Sequence, residues 1–329
     1  MDRRIPPREA EPVPIARNAG EDVRRARGKR TVVAVAGVLV AATVLAELLL
    51  RNVAGLGDPP LYRTDPAIEY VLVPGTYRRF GNTVFVNSVH MRSPESALGP
   101  RRAGERRVLV LGDSVVNGGS LTDQDSLATQ LLPAMALELD GGAALTVCNV
   151  SAGSWGPGNL LAFVQRFGTF DSTDAVIVLN SEDAVDVPTF AALGPEQPTE
   201  PPLLALQELV QNYGARLLRR SSSSPTDPGA SDLAAGSLGD LLDLLASRGV
   251  RCRLLFHPTR QQLDQGQDGS VGSLEAQAAL RGVPRCSTAD RLREMRAGGL
   301  EPYRDDIHPA AAGQAALAKA ILDCLGIGR

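Results

Sequence analysis

The chain has 329 residues, 43% of them hydrophobic and 22% charged, with a formal net charge of -3. That composition is globular and excludes a disordered or collagen-like chain, and the length allows one large domain or two ordinary ones. Nine of the 34 Lys and Arg residues precede Thr31, so the remainder lacks the basic surplus that nucleic-acid binding requires.

Residues 1–30 are rich in Pro and Arg and end in RRARGKR. Residues 31–50, TVVAVAGVLVAATVLAELLL, match the ~20 apolar residues that cross a bilayer, with a single acid, Glu47, near the end. The basic flank predicts a signal anchor with residues 1–30 in the cytoplasm and everything after Arg51 outside. A cleaved signal peptide competes, but the leading segment is long and no A-x-A site is clear. A buried soluble helix is the other alternative, against which stands a run apolar all round. Residues 51–105 read as an extended lead-in with one hairpin, around NTVFVN, and a loop from Pro94 to Gly104.

From Arg106 onward, short apolar runs alternate with helix-compatible segments. VLVLG, LTVCNVSA, AVIVLNS and RCRLLFHP are rich in Val, Leu and Ile, as strands covered on both faces are. A weaker fifth strand is expected at VPRCS. Helices are expected over DSLATQLLPAMALEL, GNLLAFVQRF, PLLALQELVQNYGARLLRR and LGDLLDLLASRG, the last capped by Gly249. A final helix starts at Pro309, and residues 221–231, SSSSPTDPGAS, read as an exposed loop. The alternation predicts a doubly wound α/β domain over residues 106–329.

In such a sheet, chemistry collects beyond the carboxyl ends of the strands. The candidate residues there are Asp113 and Ser114, then Gly153 and Ser154, then Asn180, Glu182 and Asp183, then His257. The chain has three histidines; His90 and His257 read as structural. His308 sits in YRDDIHPAAAG, three residues after Asp305 and just before a helix. That spacing can aim a carboxylate at one imidazole nitrogen, although a helix cap also explains it.

GDS after the first strand, Gly after the second, a polar cluster with Asp after the third and DxxHP before the last helix resemble the four blocks of the SGNH/GDSL hydrolase family. VNSVHMRSPE (86–95) is similar to the lead-in of its membrane-anchored bacterial members. The resemblance covers about residues 84–328 and implies a flavodoxin-like three-layer α/β/α domain. It implies Ser114 as nucleophile, His308 as base and Asp305 as orienting acid. The backbone N–H groups of Gly153 and Ser114 would form the oxyanion hole. The third block departs from the family's G-x-N-D, because aligning Asp183 puts Glu182 at the Asn position. Three outcomes follow: Glu182 held neutral by burial and still donating, Asn180 substituting, or a hole built from the two backbone donors alone. Ala152-Gly153-Ser154-Trp155-Gly156 offers a rival nucleophile elbow at Ser154.

The expected function is a membrane-tethered, extracytoplasmic serine esterase acting on an ester-bearing small molecule, glycan or lipid. Acyl transfer to a glycan hydroxyl uses the same site, and a catalytically silent binding domain is the alternative from another class. No Gly-rich phosphate loop or metal-ligand cluster stands in the sequence, so no cofactor, metal or nucleic acid is expected. Cys148, Cys252, Cys286 and Cys324 form no CxxC pair and read as buried thiols. One disulfide is compatible with an oxidising compartment.

Overall fold

The structure is a computed structural model that describes residues 19–140, 144–214 and 229–328. The chain divides into two units, residues 1–49 and 50–329. The described residues of the first unit belong to α1 (Ala19–Asn52). From Arg24 onward this helix is long and apolar enough to cross a membrane by length and composition. Most of the Pro/Arg-rich segment 1–30 and of the Ser-rich stretch 221–231 lies outside the described residues.

The second unit opens with two hairpins where one is expected. β1 (Tyr62–Asp65) pairs antiparallel with β2 (Glu69–Leu72), and β3 (Gly75–Arg79) with β4 (Asn82–Val86). The first is hidden in sequence because its turn has no glycine and places Glu69 at φ 92°, a conformation that ordinary residues rarely adopt. This segment is no loose lead-in. Ile68, Tyr70, Val71, Met91 and Ala97 are buried in one cluster with Leu109 and Leu111 of the next strand.

That strand is β5 (Arg106–Gly112), the first of a parallel sheet with β6 (Leu145–Ser151), β7 (Asp174–Leu179), β8 (Arg251–Phe256) and β9 (Arg285–Ser287). The spatial order β6-β5-β7-β8-β9 is the flavodoxin-like 2-1-3-4-5 arrangement, whose order reverses beside the first strand. All five runs read from the sequence form strands, the fifth the shortest.

Period-two alternation sends Leu109 and Leu111 to one face and Val108 and Val110 to the other. A single turn α2 (Ser114–Asn117) follows β5, and α3 (Ala128–Asp140) leads to β6. After β6 comes α4 (Pro157–Phe167), and after β7 comes the short α5 (Ala205–Glu208). α6 (Ala230–Ser247) precedes β8. α7 (Arg260–Asp264) and α8 (Gly272–Leu280) lie between β8 and β9, with α9 (Ala289–Ala297) and α10 (Ala311–Leu325) after it. Phe163 of α4, Leu238 and Leu242 of α6 and Leu274 of α8 cover the first face; Leu132 of α3 and Leu317 and Ile321 of α10 cover the second. The domain is thus a three-layer α/β/α sandwich.

Two helical expectations shift, and two helices, α8 and α9, were not foreseen. The helix read over 202–220 is reduced to α5 and a π-helical turn, Leu209–Gly214, with the rest outside the described residues. The last helix starts at Ala311 rather than Pro309, because Pro309 forms a bridge with Tyr303. α8 and α9 were hidden because each buries only two residues of an otherwise polar or small-residue surface. Gly249, at φ 71°, ends α6 as expected, with Val250 N–H donating to the Leu245 carbonyl at 3.0 Å.

Two features tie the sandwich at its edges. Asp174, fully buried at the start of β7, accepts from Arg106 (3.1 Å), Arg251 (2.9 Å) and Arg253 (3.2 Å). Cys286 of β9 and Cys324 of α10 form a disulfide, while Cys148 and Cys252 are free. The reading of all four cysteines as buried thiols therefore holds for Cys148 alone: Cys252 is a partly buried thiol, and Cys286 and Cys324 form the one disulfide that the sequence allows.

Candidate active site

β5 stops where it does for a steric reason. A Cβ on Gly112 would stand 2.5 Å from Val116 Cγ2 and 3.2 Å from the Val178 carbonyl oxygen, so only glycine lets the chain turn sharply into α2. Asp113 then caps that turn, its carboxylate accepting from Val115 N–H at 2.8 Å. This leaves Ser114 as the first helical residue, half-buried at the carboxyl end of β5.

Ser114 Oγ lies 2.9 Å from His308 Nε2, and His308 Nδ1 lies 2.8 and 2.9 Å from the two oxygens of Asp305. A carboxylate can only accept, so Nδ1 carries the proton and Nε2 is left to accept from the serine hydroxyl. Asp305 is held in place by its own loop: Oδ1 also accepts from Ile307 N–H (3.1 Å) and His308 N–H (2.8 Å). Burial works to raise the Asp305 pKa, but those two N–H groups and the imidazole outweigh it and hold the carboxyl below the usual range. The carboxylate is therefore ionised wherever the imidazole takes a proton.

The oxyanion candidates divide. Among the described residues, neither the Ser114 N–H nor the Gly153 N–H has an acceptor. The turn bearing Gly153 is anchored by Tyr70, whose hydroxyl donates to the Gly153 carbonyl, and by Trp155 Nε1, which donates to the Tyr70 carbonyl at 3.2 Å. Asn180 is 1% exposed and bonded to its neighbours. Its amide donates to Asp113 at 2.9 Å and its side-chain oxygen accepts from Glu182 N–H at 2.8 Å. Glu182 is exposed, so the burial that would keep it neutral is absent.

Carboxylates crowd this end of the sheet. Burial, with nearby Glu182 adding to it, raises the Asp113 pKa despite the donors from Val115 and Asn180. Burial and the Asp113 charge raise Asp183 well above the ordinary range, and burial together with Asp113, Glu69 and Glu182 pushes Asp186 up to about 7.

Ser154 stands apart. It is exposed at φ 56°, and all three histidines are engaged elsewhere. His308 holds Ser114, and His90 bonds the Leu72 carbonyl (2.6 Å) and Arg63 (3.2 Å). His257 Nε2 donates to the Ile307 carbonyl at 3.1 Å while Nδ1 faces the Thr288 hydroxyl at 3.1 Å. His257 thus supports the Asp305–His308 loop from beneath, a task its strand-end position did not announce.

Burial lowers the His257 pKa to about 4. Because the folded value lies below the ordinary 6.5, the unfolded chain binds more protons between pH 6.5 and 4. Stability is therefore fully present above about pH 6.5 and falls as the pH drops towards 4, by roughly 3 kcal/mol from this group. Urea unfolding of the wild type at pH 7.5 and 5.0 reads this slope. His257→Gln, which keeps a donor but does not titrate, is expected to show a smaller slope; an unchanged one would assign the loss to other groups.

No protein-family model matches the chain, and no curated protein does. Among solved structures it is similar to a member of the lipolytic protein G-D-S-L family from Veillonella parvula DSM 2008. That match has 13% identity and a TM-score of 0.40, over 67% of this chain and 98% of the other. It is similar to an acetyl xylan esterase from Geobacillus stearothermophilus, at 16% identity and a TM-score of 0.43, over 69% and 97% of the two chains. A third is an alpha/beta hydrolase enzyme from the metagenome of Lake Arreo, Spain, at 15% identity and a TM-score of 0.42, over 71% and 99%. Likeness at this level carries no weight for the chemistry, which is read from the geometry of the site.

Proposed function

We propose that the chain is a serine ester hydrolase working through Ser114, His308 and Asp305, tethered outside the cytoplasm by residues 31–50. The observation that carries this reading is the unbroken path from Ser114 Oγ through His308 to Asp305, with contacts of 2.9 and 2.8 Å. In the first half-reaction, Oγ attacks the ester carbonyl as His308 Nε2 takes the hydroxyl proton. The Asp305 carboxylate stabilises the imidazolium. The carbonyl oxygen becomes an oxyanion bound by the N–H groups of Ser114 and Gly153. Collapse breaks the ester C–O bond, and the His308 proton leaves on the alcohol. Water then repeats the sequence on the acyl-serine and releases the acid.

The basic flank before residue 31 and the Cys286–Cys324 disulfide support an extracytoplasmic placement, since such bonds persist in oxidising compartments. Acetylated glycans and lipid esters near the membrane are the substrate classes this placement favours. The test is turnover of 4-nitrophenyl acetate by the full chain in detergent, together with labelling by a fluorophosphonate. Turnover with covalent label on Ser114 is expected. A folded chain that neither turns over the ester nor takes the label would be a binding domain.

A further inference from the structure

The nucleophile turn ends in Asn117-Gly118-Gly119-Ser120, and both glycines have left-handed backbones, at φ 73° and 58°. A Cβ on Gly118 would also stand 2.6 Å from Leu127 Cδ2 and 2.8 Å from Thr122 Cβ, so this loop is closely packed. Its carbonyls are collected by two arginines. Arg92 is fully buried; its Nη1 donates to the carbonyls of Asn117 (2.5 Å) and Gly119 (2.9 Å). Its Nη2 donates to the Thr122 carbonyl (3.2 Å) and its Nε to Gln124 Oε1 (3.2 Å). Arg304 Nη1 donates to the remaining Gly118 carbonyl (3.2 Å) and to Thr122 Oγ1 (2.9 Å).

Arg304 immediately precedes Asp305, and its own N–H donates to the His308 carbonyl at 3.0 Å. One residue is therefore bonded through its backbone to the base loop and through its side chain to the nucleophile loop. We propose that Arg92 and Arg304 are positioning residues, a guanidinium clamp that sets the Ser114–His308 distance, with Arg304 joining the two loops. The clamp rests on the esterase reading of the same site. Its chemistry requires guanidinium groups, because several carbonyls at fixed angles must be met by one planar cation. A misplacement of about 1 Å at a reacting pair costs on the order of 100-fold in rate, so small slack here has a large effect.

The experiment compares Arg304→Ala, Arg304→Lys and Arg92→Lys with the wild type, using the full chain in detergent. It reads kcat and KM for 4-nitrophenyl acetate and the rate of fluorophosphonate labelling, with circular dichroism to establish folding. For Arg304→Ala, kcat and labelling rate are expected to fall together by about 100-fold, with KM nearly unchanged. Added guanidinium ion is expected to restore part of the loss, whereas Arg304→Lys restores little. Arg293→Ala, on α9, where the guanidinium also meets backbone carbonyls (Gly266 and Gln267) but away from the nucleophile loop, is the control and keeps wild-type rates. Folded Arg304→Ala and Arg92→Lys proteins that label and turn over at wild-type rates would overturn the clamp while leaving the esterase intact. Should Arg92→Lys fail to fold, Arg304→Ala decides the matter alone. A wild type that takes no label at Ser114 would overturn both readings, so the two failures are distinguishable.

Discussion

Ser114→Ala is expected to lower kcat for ester hydrolysis on the order of a million-fold, the scale set by losing the nucleophile of a serine hydrolase. The folded state should be unaffected: Ser114 is half-buried, its hydroxyl reaches His308 rather than the core, and the α2 turn is capped by Asp113. His308→Ala should cost about as much. The two losses should not add, because one proton relay is broken by either substitution. Steady-state kinetics on the single and double variants provide the check. Full activity in Ser114→Ala would end the proposed mechanism, and additive losses would mean that the two residues act in separate steps. Ser154→Ala is expected to keep its activity, since Ser154 has no histidine partner.

Loss of the Cys286–Cys324 bridge is expected to destabilise the domain by about 4 kcal/mol, the loop-closure value for a separation of 38 residues. The geometry explains why so short a strand depends on it. β9 has three residues at the edge of the sheet and pairs only with β8, so its ladder alone is weak. The bridge fastens it to the last turn of α10, whose other end begins three residues after His308. Urea midpoints of the Cys286→Ser/Cys324→Ser double variant, and of the wild type with and without reductant, measure the effect. Reductant should lower the wild-type midpoint to that of the double variant and leave the double variant unmoved. Equal midpoints throughout would remove both the stability contribution and the support it lends to an oxidising location.

The central sheet was legible because each strand is a continuous apolar run covered on both faces, a local pattern that survives in one dimension. Asp305 and His308 were legible for a similar reason: two residues separate them and a single turn makes their contact. The pairing of Ser114 with His308 spans 194 residues, so it emerged only from four short blocks taken in order. The proposed clamp left a weaker signal: Arg92 stands in the VNSVHMRSPE lead-in, but most acceptors of Arg92 and Arg304 are backbone carbonyls, which have no residue identity to read. The hairpin at Tyr62–Leu72 was hidden because its turn depends on a strained Glu69 rather than on Gly or Asn. Glu182 shows the limit of register: its position followed from the sequence, but its exposure depends on packing that no short stretch encodes.

That 194-residue span has a consequence for the life of the chain. Synthesis runs from the amino terminus, so Ser114 exists long before the loop that holds His308. Under the proposed mechanism, Ser114 is an ordinary serine hydroxyl until β9, the Asp305–His308 loop and α10 have been made and docked. The growing chain would then be inert towards esters it meets during biogenesis, its activity arriving only with the carboxyl-terminal fold.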